Sequence, residues 1–171
     1  MDHETSTRRA KVAVLTVSDT RSPSDDKSGS CISEALINAG HTVHCQEIVP
    51  DEHAPIVSKI TIWAKDQAID AIIVSGGTGA SPRDVTPDAI MPLMSGTLDG
   101  FGELFRMLSY KEIGAAAMLS RAVAGWIDSE TLRTPVFLLP GSPAGVSLAL
   151  SELIVPQLGH LLDICSMETS K

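Results

Sequence analysis

Four short segments of this chain carry the residues best suited to chemistry, and each follows directly on an apolar run. They are Ser18-Asp19-Thr20-Arg21, Pro50-Asp51-Glu52, Ser75-Gly76-Gly77-Thr78-Gly79 and Pro140-Gly141-Ser142-Pro143. The glycine-rich segment gives the strongest signal. Residues without Cβ let backbone N–H groups approach an anion and accept positive φ. Between a buried strand and a helix start, such a loop can cradle a phosphate; the plain alternative is a tight strand-exit turn with no ligand. No G-K-[ST] follows it and its spacing is not G-x-G-x-x-G, so it is neither a P-loop nor a dinucleotide fingerprint. Without the P-loop lysine, charge must be neutralised from elsewhere, and a metal ion is the natural source.

Asp51 and Asp84 are the candidates for that work. Mg²⁺ usually takes one or two carboxylates plus substrate phosphates and waters. Two acids at adjacent strand exits could hold it against a polyphosphate, or one could orient a nucleophile. Asp51 also stands where a helix N-cap belongs. That alternative is weaker for Asp84, because Thr86 is positioned to cap the next helix. Arg83 can pair with Asp84, face solvent or reach a phosphate, and Glu52 reads as a first-turn acid stabilised by the helix dipole. Ser142 fits either a ligand contact or an ordinary cap. His3, His41, His44, His53 and His160 show neither metal nor triad spacing and are read as non-catalytic.

The elements that must hold these segments follow from periodicity. Residues 11–17 (KVAVLTV) and 70–75 (DAIIVS) are apolar throughout, as strands covered on both faces are. Residues 41–49 are more mixed, which places that strand nearer an edge, and 134–139 (TPVFLL) form a further strand. Helical spacing runs through Ile32, Ala35, Leu36 and Ala39, with Gly40 as its stop, and again through Ile56, Val57, Ile60, Trp63 and Ala64. Thr86-Pro87-Asp88 opens another helix with Thr86 as cap. Residues 100–125 read as helices broken at Ser109-Tyr110 and at Gly114, and residues 126–133 as a hairpin or surface loop. A final helix spans about 144–162, kinked at Pro156. Alternating apolar strands and helices predict an α/β fold, three layers deep, with a mostly parallel sheet. Ligands in such sheets lie beyond the carboxyl ends of the strands.

Composition narrows the function classes. The 171 residues suit one domain, residues 11–165, behind a flexible polar tail at 1–10. With 43% apolar and 20% charged residues the chain is not disordered. The net charge of −8, with no basic stripe, argues against nucleic acid. Its apolar runs of about six to eight residues argue against a membrane span, which needs about 20. Cys31, Cys45 and Cys165 have no C-x-x-C spacing and read as reduced thiols in a cytoplasmic protein.

An ordered set of motifs goes further. It runs T-V-S-D-T-R (16–21), Ser28-Gly29, V-P-D-E (49–52), S-G-G-T-G (75–79), R-D-V-T-P-D-A (83–89), F-G-E-L-F-R (101–106), L-S-R-A-V-A-G (119–125) and L-P-G-S-P (139–143). The set resembles the molybdenum-cofactor biosynthesis family of the MoaB and MogA type, over nearly the whole chain. The resemblance implies a molybdopterin-binding fold, assembled as a trimer or hexamer. It implies transfer of AMP from Mg-ATP to the terminal phosphate of molybdopterin, with release of pyrophosphate and with Asp51 and Asp84 required. It also implies that Ser75, Gly76, Gly77, Thr78, Gly79, Gly141 and Ser142 line the pterin and nucleotide pocket, with Thr16 and Ser18 beside them. Other cofactor-biosynthesis proteins are expected as partners. F-G-E-L-F-R and S-Y-K-E-I-G (109–114) are closer to the MoaB branch, whose members include some with no clear adenylylation role. A non-catalytic pterin carrier is therefore the alternative. A flavodoxin-like FMN module is a third reading, but the acid pair has no part in it.

Overall fold

The computed structural model describes residues 6–166. Six strands form one sheet in the order β2-β1-β3-β6-β5-β4. They are β1 (Lys11–Val17), β2 (Thr42–Val49), β3 (Ala71–Ser75), β4 (Gly96–Thr97), β5 (Val123–Asp128) and β6 (Arg133–Leu139). The pairs β1–β2, β1–β3 and β3–β6 are parallel, whereas β5 and β4 run antiparallel at the far edge. The mixed strand, β2, is the opposite edge, as its polarity predicts. Residues 126–133 resolve into the end of β5 and the turn into β6. There Arg133 pairs with Asp128 at 2.7 Å and lies over the Trp126 ring.

Period-two alternation divides the core. Val12 and Val14 of β1 and Ile73 of β3 face one cluster, while Ala13, Leu15, Ile72 and Val74 face the other. The second layer is covered by α2 (His53–Trp63), with Ile56, Ile60 and Trp63 inward, and by α3 (Thr86–Ile90). The first is covered by α1 (Lys27–Asn38), α4 (Asp99–Ile113) and the helical rod of α5 (Pro143–Ala149) and α6 (Val155–Cys165). This is the three-layer α/β arrangement. Phe101 and Phe105 of α4 stack on each other and Phe101 meets Phe137 of β6 edge-on. Burying each such ring contributes about 1.5–3 kcal/mol.

Several boundaries differ from expectation. Helix α4 runs unbroken through Ser109-Tyr110 because Ser109 is buried against the core, and it stops only at Gly114. The last helix carries its irregularity just ahead of Pro156, where a kink was expected. A π-helical turn over Leu150–Ile154 joins α5 to α6, widening the helix just before the ring that denies Glu152's carbonyl its usual donor. The rod Pro143–Cys165 is, by length and composition, long and apolar enough to cross a membrane. It lies on the sheet instead, with Val146, Leu150, Ile154, Leu158 and Leu162 in the core. Of the expected tail, residues 1–5 lie outside the described residues. Residues 6–10 pack at the foot of the sheet, where Ala10 is buried and Arg8 bonds the Leu162 carbonyl at 2.9 Å. All three cysteines are free thiols.

On its outer side α4 presents Leu104, Met107, Tyr110 and Ile113 to solvent, and Met118 and Leu119 follow in a 3₁₀ segment (Gly114–Leu119). Met118 is 77% exposed. These side chains make this the part of the surface where large apolar residues gather.

Candidate active site

Because β1, β2, β3 and β6 are parallel, the four segments singled out in the sequence leave the sheet together, at the edge formed by the strands' carboxyl ends. Backbone bonds splice them together: Ser18 N–H donates to Val49 O at 2.9 Å, and Gly76 N–H to Leu139 O at 3.1 Å. The exit of β6 touches that of β3, since a Cβ on Gly141 would stand 3.4 Å from Gly76 Cα. Gly76 (φ +99°) and Gly77 (φ +63°) hold the left-handed conformation that favours glycine. At Gly76 a side chain would also collide with the Val17 carbonyl oxygen.

The two aspartates meet this loop from either end. A Cβ on Gly77 would lie 2.8 and 3.0 Å from the Asp51 carboxylate oxygens, and one on Gly79 would lie 2.7 Å from Asp84 Oδ2. Both carboxylates thus pack directly onto the loop, in contacts that only glycine at 77 and 79 permits.

Asp51 is not a helix cap. Glu52 occupies the N-cap of α2, without a side-chain bond, and Asp51 Oδ1 accepts instead from Val85 N–H at 3.3 Å. Burial pushes the Asp51 carboxyl above its ordinary range; the Val85 N–H opposes this, and the Asp84 and Asp19 charges add to it. Thr86 is not a cap either. Val85 takes that position, while Thr86 begins α3 and its N–H donates to Gly77 O at 3.0 Å. The hydroxyls of Thr86 and Ser75 are buried without partners among the described residues. Asp84 Oδ2 accepts from Ser81 N–H at 3.0 Å, closing the turn that follows the glycine loop.

The remaining predicted residues divide. Ser18 borders a cavity of about 690 Å³ between the β1 exit and β2, lined also by Asp19, Arg21 and Pro50. Thr78 is buried in the loop itself. Ser142 adopts the cap alternative, its Oγ accepting from Gly145 N–H at 3.2 Å, at the end of the rod that faces this edge. Thr16 does not open to the cleft. It is fully buried and its hydroxyl donates to Asp26 Oδ2 at 2.6 Å. His41 accepts from Ala10 N–H at the foot of the sheet, a structural role.

Four further charged residues complete the arrangement at this edge. Asp26 is a buried acid that caps α1 through Gly29 N–H at 2.9 Å. Asp19 accepts from Asp51 N–H at 3.0 Å and takes a two-pronged bond from Arg83 at 2.7 and 2.8 Å. Arg83 therefore pairs with Asp19 rather than Asp84, and the guanidinium holds the Asp19 carboxyl below its usual range. Arg121 reaches the glycine loop from the start of β5. The acid directly at the β1 exit was a visible signal for Asp19. Arg121 stands in the L-S-R-A-V-A-G motif (119–125), but nothing in its local pattern tied it to the glycine loop.

The donor set suits Mg²⁺. Two carboxylates sit against one glycine loop, and one of them is raised by burial and neighbouring acids, a cost that a divalent cation would relieve. No cluster of three or more His, Cys, Asp or Glu occurs among the described residues, so phosphate and water oxygens would complete the coordination.

A mostly parallel α/β protein with an acid-flanked glycine loop at its strand ends is the class that this geometry defines. Residues 13–160 match the family described as a probable molybdopterin binding domain. The chain is 48% identical over 150 residues to molybdenum cofactor biosynthesis protein B of Bacillus subtilis, covering 87% of this chain and 86% of that one. A crystal structure of a molybdenum cofactor biosynthesis protein B superposes with a TM-score of 0.88 at 42% identity, covering 92% of this chain and 96% of the other. The tungsten cofactor synthesizing protein MoaB from Pyrococcus furiosus superposes with a TM-score of 0.82 at 37% identity, covering 92% and 98%. The chain belongs to the molybdenum-cofactor biosynthesis family with the molybdopterin-binding fold. That membership displaces the flavodoxin-like reading.

Proposed function

We propose that this protein acts in molybdenum-cofactor biosynthesis in the cytoplasm, transferring AMP from ATP to the terminal phosphate of molybdopterin. A phosphate oxygen of molybdopterin attacks the α-phosphorus of ATP, the new P–O bond forms, and pyrophosphate leaves with its electron pair. The observation that carries this reading is the meeting of Asp51 and Asp84 on the glycine loop, at Gly77 and Gly79. Mg²⁺ held by Asp51 and Asp84 would supply neutralisation of the triphosphate charge. The chain's own part is positioning, which dominates phosphoryl-type transfer. Backbone N–H groups of residues 77–79 would reach phosphate oxygens without added bulk, and the Asp19–Arg83 pair holds the β1 exit against Asp51. Molybdopterin's phosphate needs no strong base, since phosphomonoesters have a second pKa of about 6.

Pyrophosphate release with ATP, Mg²⁺ and molybdopterin tests the proposal. Asp51→Ala and Asp84→Ala should each lower the rate by about 100-fold or more, the scale on which lost positioning acts. Wild-type rates in both variants, with circular dichroism unchanged, would overturn it.

One feature favours a carrier as second reading. Both carboxylates also hold loops, Asp51 through Val85 N–H and Asp84 through Ser81 N–H, as a pocket without turnover would require. A carrier binds molybdopterin equally with and without ATP and releases no pyrophosphate. We further propose that the exposed face of α4 and the 3₁₀ segment joins copies of the chain into a trimer or hexamer. Another protein of the cofactor pathway would deliver molybdopterin.

A further inference from the structure

We infer that Arg121 is a positioning residue for Asp84, fixing the glycine loop and the acid as one rigid unit. The inference rests on the proposed role of Asp84 in the transfer. Arg121 lies between the 3₁₀ segment and β5, 37 residues beyond Asp84 in the chain, yet four of its groups converge on the site. Its backbone N–H donates to Thr78 O at 2.9 Å. Its Nε donates to Gly79 O at 2.8 Å, its Nη2 to Asp84 O, and its Nη1 to the Asp88 carboxylate at 3.0 Å.

The loop between Gly79 and Asp84 turns back on itself, with Asp84 N–H donating to Ser81 O at 2.9 Å and Asp84 Oδ2 accepting from Ser81 N–H. That small turn leaves the carbonyls of Gly79 and Asp84 pointing the same way, and one planar guanidinium satisfies both. The consequence is geometric. With the backbone of residue 84 tied to that of residue 79, the Asp84 carboxylate is kept packed against Gly79 of the glycine loop. A lysine cannot do this, because a single ammonium on a flexible stem lacks the fixed fork that spans two carbonyls and a carboxylate. The Asp88 contact is the outermost of the set, at the surface.

The test compares the wild type with Arg121→Lys, Arg121→Ala and Asp88→Asn. Pyrophosphate release is measured as kcat and KM for ATP across a Mg²⁺ titration, and amide hydrogen exchange is followed over residues 76–86. A displacement of the acid by about 1 Å costs on the order of 100-fold in rate. Both Arg121 variants should therefore lose about 30- to 100-fold in kcat and need more Mg²⁺, with a smaller change in KM for ATP. Exchange over 76–86 should rise while the rest of the sheet stays protected. Asp88→Asn should remain within about threefold of wild type, because the two carbonyl bonds persist.

Full kcat in Arg121→Lys would overturn the inference, and so would faster exchange in Arg121→Ala with kcat and Mg²⁺ requirement unchanged. If the wild type itself releases no pyrophosphate, the adenylylation reading fails on its own. The exchange contrast then decides the clamp, and unchanged protection in Arg121→Ala sinks it.

Discussion

Replacing Gly77 with alanine adds one methyl group at the point where the glycine loop meets Asp51. At φ +63° an L-residue costs about 1–2 kcal/mol, and the lower entropy of the unfolded chain returns about 0.4–1 kcal/mol of that. The methyl would stand 2.8 and 3.0 Å from the Asp51 oxygens and closer still to the Thr86 hydroxyl. Thr86 is fully buried at the start of α3 and has little room to yield, so the loop must back away from it and the Asp51 carboxylate must move as well. Adding about 1 kcal/mol for that displacement, the net loss is about 2 kcal/mol, or roughly 4–8 °C in Tm for a chain of this size. The protein should still fold. Its turnover should fall about 100-fold, because the displaced group is the acid assigned to the metal. Gly100→Ala is the control: nothing lies within 4 Å of its Cβ position in the first turn of α4, and it should be neutral or slightly stabilising. Pyrophosphate release and thermal melts on the three proteins decide the matter. A Gly77→Ala protein with wild-type turnover and Mg²⁺ dependence would show that the contact with Asp51 does not matter to the chemistry.

Three other outcomes are expected. The Asp51 carboxyl is raised by burial and by the charges of Asp84 and Asp19, so its ionised form costs stability, and the cost disappears as pH falls through the folded value. Asp51→Asn should therefore melt slightly higher than wild type at pH 7, by up to about 1 kcal/mol for so screened a site, and the two should converge as pH falls below the ordinary carboxylate value; equal melting at pH 7 refutes this. Thr16→Val removes the 2.6 Å donor from buried Asp26 and should lower stability by about 1–3 kcal/mol in urea titrations, whereas an unchanged midpoint would mean that Asp26 is satisfied without it. Met118→Glu charges the exposed apolar face and should yield a smaller species than wild type in light scattering, with a wild-type monomer at micromolar concentration refuting the assembly.

Much of the architecture was legible from local pattern. Unbroken apolar runs at 11–17 and 70–75 specify strands buried on both faces, and β1 and β3 sit mid-sheet for that reason. The mixed polarity of 41–49 likewise marked an edge. Helix starts were less legible. Asp51 and Thr86 have the residue types of caps, and both are drawn off by partners distant in sequence: Asp51 by Val85 N–H, Thr86 by its place on Gly77. Capping preference is worth about 1 kcal/mol, and a tertiary contact of the same size redirects it.

The chain itself determined which residue types leave each strand. Strand alternation is a nearest-neighbour property, so the order of acids, glycines and serines at the exits needs only local spacing to be read. Tertiary structure alone decided which of them touch. Parallel pairing of β2, β1, β3 and β6 brings four exits to one edge, seats Asp51 and Asp84 at two glycines of one loop, and turns Thr16 inward to Asp26. It also delivers Arg121 from another part of the fold. Contacts between residues dozens of positions apart depend on strand order and register, which are set by burial of whole faces and leave no mark at any single position.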